Sequence, residues 1–269
     1  MLKKLIKSFL DPIRAINDLL LNNELKRFIV NPKNPLNKFG KRCYSQCDED
    51  GITLEIVRRL NIKKGVFFEF GCDNGTQNNT LILAALKWKG VWIDAIKLIF
   101  DHTRSNRLAY FNTFVTTSNV LEIIEKGLGE IGEKNIDCLS IDLDGSDYHI
   151  VEKILDNKIN PSFFIVEIDQ AIPPPVEIIP PKKNNPKQEM VMASLSAYNN
   201  LFIKHGYTLI CCSSVMGHNA FFIQNKFLDK FPEVPKKVED IYITPNFTPF
   251  SPGYSRKINK IILEKIFEN

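Results

Sequence analysis

Chemistry in this sequence concentrates where apolar runs end on acids. VFFEF carries Glu69 and gives way to a turn with Gly71, Asp73 and Gly75. GVWID ends on Asp94, LSIDLD on Asp142 and Asp144, and FFIVEID carries Glu167 and Asp169. Carboxylates gathered in one place can take a proton, receive ribose hydroxyls, hold a hard cation or face a positively charged ligand. They repel phosphate. Which of these uses applies depends on whether the acids meet, and that is a question about the elements that carry them.

From Tyr44 onward the pattern is regular. EDGITLEIVRRL places Ile52, Ile56, Val57 and Leu60 on one helical face, and GVFFEF is a short strand-like run. LILAALKW, KLIFDHTRSNRL, NVLEIIEKGL, DYHIVEKIL and SLSAYNNLFIKH read as helices, alternating with the strand-like runs GVWID, FNTFV, IDCLSIDLD, SFFIVEID and GYTLICC. NAFFIQN follows as a last strand, joined to its predecessor only by SSVMGH, too short for a helical crossover and therefore antiparallel. Strands separated by helices predict a doubly wound α/β sheet of seven strands, mostly parallel with the last one reversed. In such a sheet the carboxyl ends of the strands converge on one edge, where ligands bind. The acids meet there.

The turn then discriminates between ligands. A dinucleotide fingerprint requires glycine where Asp73 stands, so that backbone can approach a pyrophosphate. A carboxylate at that place opposes the phosphates by several kcal/mol, on the order expected at intermediate dielectric. S-adenosylmethionine has no phosphate and carries an ammonium and a sulfonium, which suits an acidic turn. Asp94 has the spacing from Gly71 of a ribose-binding acid, a role that serves NAD equally well.

The combination YSQCDEDGI, FFEFGCDNGTQNNT, GVWIDA, LSIDLDGSDYHI, FFIVEID and GHNAFFIQN resembles the FkbM-type and related small-molecule methyltransferases of the Rossmann-like, seven-strand class I. The resemblance spans about residues 43 to 228. It implies methyl transfer from S-adenosylmethionine to an oxygen of a sugar or sugar-containing metabolite, in a setting such as surface polysaccharide assembly. In that scheme Glu69, Gly71, Asp73 and Gly75 surround the methionine portion and Asp94 binds the ribose. Thr116 and Ser118 lie near the adenine. Tyr44, Ser45, Gln46 and Glu49 either close over the donor or cap a helix. Asp142, with Asp144 beside it, is the leading catalytic candidate, as the base for the acceptor hydroxyl. The acids Asp142, Asp144, Glu167 and Asp169 alternatively hold Mg²⁺ or another divalent metal. Two rivals stay open: an NAD-linked oxidoreductase, and a non-catalytic binding module on the same fold.

Other features bound the reading. Residues 1 to 42 hold ten Lys or Arg against three Asp or Glu and form a basic segment of two predicted helices and a linker, a candidate for peripheral membrane contact. The body from 43 to 228 has no basic excess suited to nucleic acid, and residues 229 to 269 form an extension without an assigned role. No stretch is apolar for long enough to span a bilayer and no export signal is present, which predicts a cytoplasmic protein. The six cysteines contain no CxxC pair and the four histidines no zinc-ligand spacing, so buried thiols are expected rather than disulfides or zinc. Asn78 and Asn79 read as helix caps, and His218 as a structural residue or a base facing the acceptor. The proline-rich segment from Gln170 to Glu189 reads as a substrate-facing lid.

Overall fold

The computed structural model describes residues 32–143, 145, 147–182 and 191–245, with scattered helical positions between 12 and 26. The basic N-terminal helices, the end of the C-terminal extension and Asp144 lie outside the described residues. Among the described residues no helix is long and apolar enough to cross a membrane.

Seven strands form one sheet: β1 Val66–Phe70, β2 Lys89–Asp94, β3 Leu108–Asn112, β4 Cys138–Ile141, β5 Phe163–Glu167, β6 Tyr207–Cys212 and β7 Asn219–Gln224. Their order is β3-β2-β1-β4-β5-β7-β6. β7 alone is antiparallel, inserted between β5 and β6 and paired with both. The helices whose bounds are described are α1 Glu49–Leu60, α2 Leu81–Ala85, α3 Val120–Ile131, α4 Asp147–Asp156, α5 Leu195–Lys204 and α6 Val238–Ile241.

The strands are buried on both faces because helices cover both, and each face has its own apolar layer. Phe68, Phe70, Ile93, Leu139, Phe164 and Phe222 belong to one layer, with α3, α4 and α5. Phe67, Trp92, Cys138, Phe163, Ile165 and Phe221 belong to the other, with α1 and α2. Alternate residues of one strand therefore serve opposite cores. Residues flanking 43 to 228 share these cores: Leu36 and Phe231 in one, Ile241 and Ile243 in the other. Arg59 joins both flanks to α1, pairing with Glu233 at 2.6 Å and lying over the rings of Phe39 and Phe231.

Three sequence expectations are corrected. The stretch 97–108 is not a helix but a loop with a single 3-10 turn, His102–Arg104. Asp101 accepts from the Thr103 backbone N–H at 3.1 Å, while Asp94 accepts from Ile96 N–H and Tyr110 donates to the Ile96 carbonyl, so side chains take the groups a helix would use. β3 begins and ends three residues earlier than FNTFV, because Leu108 and Tyr110 pack on one layer and Ala109 and Phe111 on the other. The described part of the proline-rich segment is tied to the body: Asn200 donates to Glu177, His149 Nε2 lies 2.8 Å from the Pro180 carbonyl, and Ile178 N–H donates to Ser194 Oγ. It does not line the cleft described below.

Candidate active site

A cleft of about 390 Å³ opens at the carboxyl edge of the sheet, outside β1, β2 and β4. This is the switch point at which the strand order reverses, with β2 to one side of β1 and β4 to the other. Of the candidates, Gln46, Glu69, Gly71, Asp73, Asp94 and Asp142 line it. Among the described residues no lysine, arginine or histidine does.

The glycine turn is shaped by its neighbours. Gly71 has φ +89°, and a methyl group on it would stand 1.6 Å from the Asp142 carbonyl oxygen, so the ends of β1 and β4 touch there. Asp73 sits at φ +47°, left-handed backbone that a short polar side chain tolerates. Its N–H donates to Asp94 Oδ2 at 2.7 Å, while Asp94 Oδ1 receives Ile96 N–H at 2.8 Å. Asp94 is thereby fixed across the floor of the cleft, and burial pushes its carboxyl above the ordinary value. Gly75 turns away, toward Leu98 and Phe100.

Glu69 is buried and holds the loop leading into α2. Asn78 Nδ2, Asn79 N–H, and the N–H and Oγ of Thr80 all donate to it, at 2.8, 2.7, 3.1 and 2.5 Å. The asparagines are thus held by Glu69, and with its amide nitrogen taken, Asn78 leaves Oδ1 buried at the cleft without a hydrogen-bond partner. Burial pushes the Glu69 carboxyl up to about 7 despite these donors. A folded-state value above the unfolded 4.5 means the folded protein binds the extra proton, so stability is greatest below that value and is lost as pH rises toward about 7. Urea unfolding across this range should show a slope of up to about 1.4 kcal/mol per pH unit, the limit for one proton. Glu69→Gln should lower that slope, leaving the share of Asp48, which burial also pushes up to about 7.

Thr116 and Ser118, expected near the adenine, do not line the cleft. β3 ends early, so Thr113, Phe114 and Val115 occupy the edge. Thr116 and Ser118 bond to one another at 2.7 Å, and Thr116 N–H donates to Asn119 Oδ1 at 2.8 Å, in the turn that starts α3. Asp147 accepts from Gly145 N–H at 2.8 Å and from Leu143 N–H, closing the loop after β4 at the start of α4. Among the described residues Asp142, Glu167 and Asp169 do not form a set of three donors within reach of one ion.

The sequence reading missed Asn219, which is 2% exposed and lines the cleft from β7. Its Nδ2 donates to Glu49 Oε1 at 3.1 Å, and its Oδ1 has no hydrogen-bond partner. The signal was present in GHNAFFIQN, but only the insertion of β7 between β5 and β6 carries that residue to the edge. His218 beside it is buried and does not line the cleft.

No protein-family model and no curated protein matches this chain. Among solved structures, a protein described as a hemolysin from Lactococcus lactis is similar at TM-score 0.43 and 10% identity, covering 75% of this chain and 98% of that one. The magnesium protoporphyrin IX methyltransferase of Synechocystis with bound SAH aligns at TM-score 0.41 and 9% identity, over 82% and 99%. An O-methyltransferase family protein from Burkholderia thailandensis aligns at 0.37 and 8%, over 78% and 70%. At these scores and identities none of them bears on what this chain does.

Proposed function

We propose that the protein is an S-adenosylmethionine-dependent methyltransferase acting on an oxygen of a small-molecule or glycan acceptor, with a sugar hydroxyl as the favoured class. The observation that carries this reading is the lining of the cleft: Glu69, Asp73, Asp94 and Asp142 with no basic side chain among the described residues, and two asparagine oxygens, on Asn78 and Asn219, that lack partners. Buried acceptors without donors call for a ligand rich in donors or positive charge. S-adenosylmethionine brings both, and it supplies a methyl group made electrophilic by its sulfonium.

Each part of the donor has a counterpart. Asp94, held by two backbone N–H groups, keeps acceptor capacity on both oxygens for ribose hydroxyls. Ile96, Phe114 and Val115 offer apolar surface for a planar base. Asn78 Oδ1 suits an ammonium. Asp142, in the cleft beside Gly71, takes the proton from the acceptor hydroxyl. Alignment of acceptor oxygen and methyl carbon supplies the remainder of the rate.

Calorimetric titration tests the donor. S-adenosylhomocysteine is expected to bind with micromolar affinity and NADH not to bind, and the reverse result would transfer the protein to the oxidoreductases. A mass-spectrometric search for methylated products among nucleotide sugars and glycan fragments, with labelled donor, identifies the acceptor.

A further inference from the structure

Behind the wall of the cleft, the loop before α1 and the turn between β6 and β7 bring together Cys47, Glu49 and His218. All are buried: Cys47 and Glu49 have no exposed surface and His218 is 3% exposed. The thiol sulfur, a carboxylate oxygen and an imidazole nitrogen lie within 4.8 Å of one another. Sequence spacing could not show this, because the histidine comes from the far end of the domain.

Two further facts point to a cation. His218 Nε2 stands 3.3 Å from Glu49 Oε1 without the alignment of a hydrogen bond, and it has no other partner. Its other nitrogen, Nδ1, lies 3.4 Å from Ser213 Oγ. With Nδ1–H given to that hydroxyl, the Nε2 lone pair and a carboxylate oxygen face each other, two acceptors that an ion between them would satisfy. Two donors about 2.0–2.1 Å from a tetrahedral zinc are themselves about 3.3 Å apart. Charge gives the second fact. Asp48, Glu49 and Asp50 are consecutive and fully buried. Asp50 Oδ2 accepts from Cys43, Tyr44 and Ser45 N–H and from Ser45 Oγ, while its Oδ1 lacks a partner. Asp48 receives Ser214 N–H on Oδ1, but its Oδ2 lacks a partner. Buried anions of this kind are paired or coordinate metals.

We propose that Cys47, Glu49 and His218 bind a borderline divalent ion, zinc by preference, as three protein ligands with the fourth position left to water. The donor set argues for zinc over magnesium, since thiolate and imidazole are poor ligands for hard cations. Outer partners are in place: Asn219 Nδ2 on Glu49 Oε1, Cys47 N–H on Glu49 Oε2 at 2.9 Å and Ser213 on His218. The ion would join the loop carrying Gln46 to the strand carrying Asn219, both cleft residues, and so fix one wall of the cleft. Its binding does not depend on methyl transfer.

The test uses the full chain, stripped with chelator and reloaded with zinc chloride alone. One zinc per chain is expected by elemental analysis, with a Kd at or below micromolar and a thermal midpoint raised by several degrees. Cobalt in its place should give a thiolate charge-transfer band and the intense visible bands of a tetrahedral ion. Cys47→Ser should abolish the charge-transfer band and weaken zinc by at least about 10–100-fold, the loss that removal of even an outer partner brings. Cys43→Ser, at the exposed cysteine, should change neither. Should Cys47→Ser fail to fold by circular dichroism, Glu49→Gln supplies the same affinity test. Absence of stoichiometric zinc in the reloaded wild type, or equal zinc affinity in the folded variants, would overturn the site and leave a buried histidine–glutamate contact.

Discussion

Gly71→Ala is expected to lower unfolding stability by about 2–6 kcal/mol and to abolish donor binding. Two costs combine. Alanine at a φ of +89° is strained by about 1–3 kcal/mol. Its methyl would also overlap the Asp142 carbonyl oxygen, which is backbone and cannot rotate aside, and overpacking of this kind adds about 1–3 kcal/mol as the chain shifts. Relief requires the end of β4 to move away from β1, where Asp142 N–H donates to the Phe70 carbonyl at 2.9 Å. That movement opens the floor of the cleft. Gly129 is the matched control: it lies in α3, exposed, with nothing within 4 Å of an added methyl. Gly129→Ala should stabilise by about 0.5–1 kcal/mol. Urea unfolding of both variants, with S-adenosylhomocysteine titration of each, measures the contrast. Equal stabilities would show that the two strand ends do not meet as described.

The contrast also shows what was legible in the sequence. α1 was readable to the residue, because its apolar spacing is periodic and Asn61 in left-handed backbone stops it. β1 was nearly as clear, since a short β-rich run is followed by a glycine turn. Helix 97–108 was misread because the apolar residues there, Leu98, Ile99 and Phe100, precede a string of polar residues whose side chains compete for backbone groups. The early end of β3 puts Thr113, Phe114 and Val115, rather than Thr116 and Ser118, in the lining of the cleft. Acids on adjacent strands were found because topology alone brings strand ends together. Asn219 and the Cys47, Glu49 and His218 group were not found, because their meeting depends on where β7 inserts and on a loop that precedes the first strand. Long-range placement of loops leaves no periodic trace.

Asp142→Asn is expected to slow methyl transfer to the identified acceptor by about 10²–10⁴-fold, the range for removal of a general base. The affinity for S-adenosylhomocysteine should stay within a few-fold of wild type, since the amide is nearly isosteric and the contact of Asp142 with Gly71 runs through the backbone carbonyl. A carboxylate base must be ionised to accept the acceptor proton, so the wild-type rate should fall on acidification as Asp142 takes up a proton. The asparagine variant should lose that acid limb. A positional role predicts a different pattern, with a raised KM, a modest change in kcat and an unchanged pH profile. Asp142→Glu separates the two further: a base displaced by one methylene retains the acid limb at reduced rate. If the asparagine variant turns over at the wild-type rate, the proton leaves by another route. Asp144, two residues on in the sequence, is then the next carboxylate to replace.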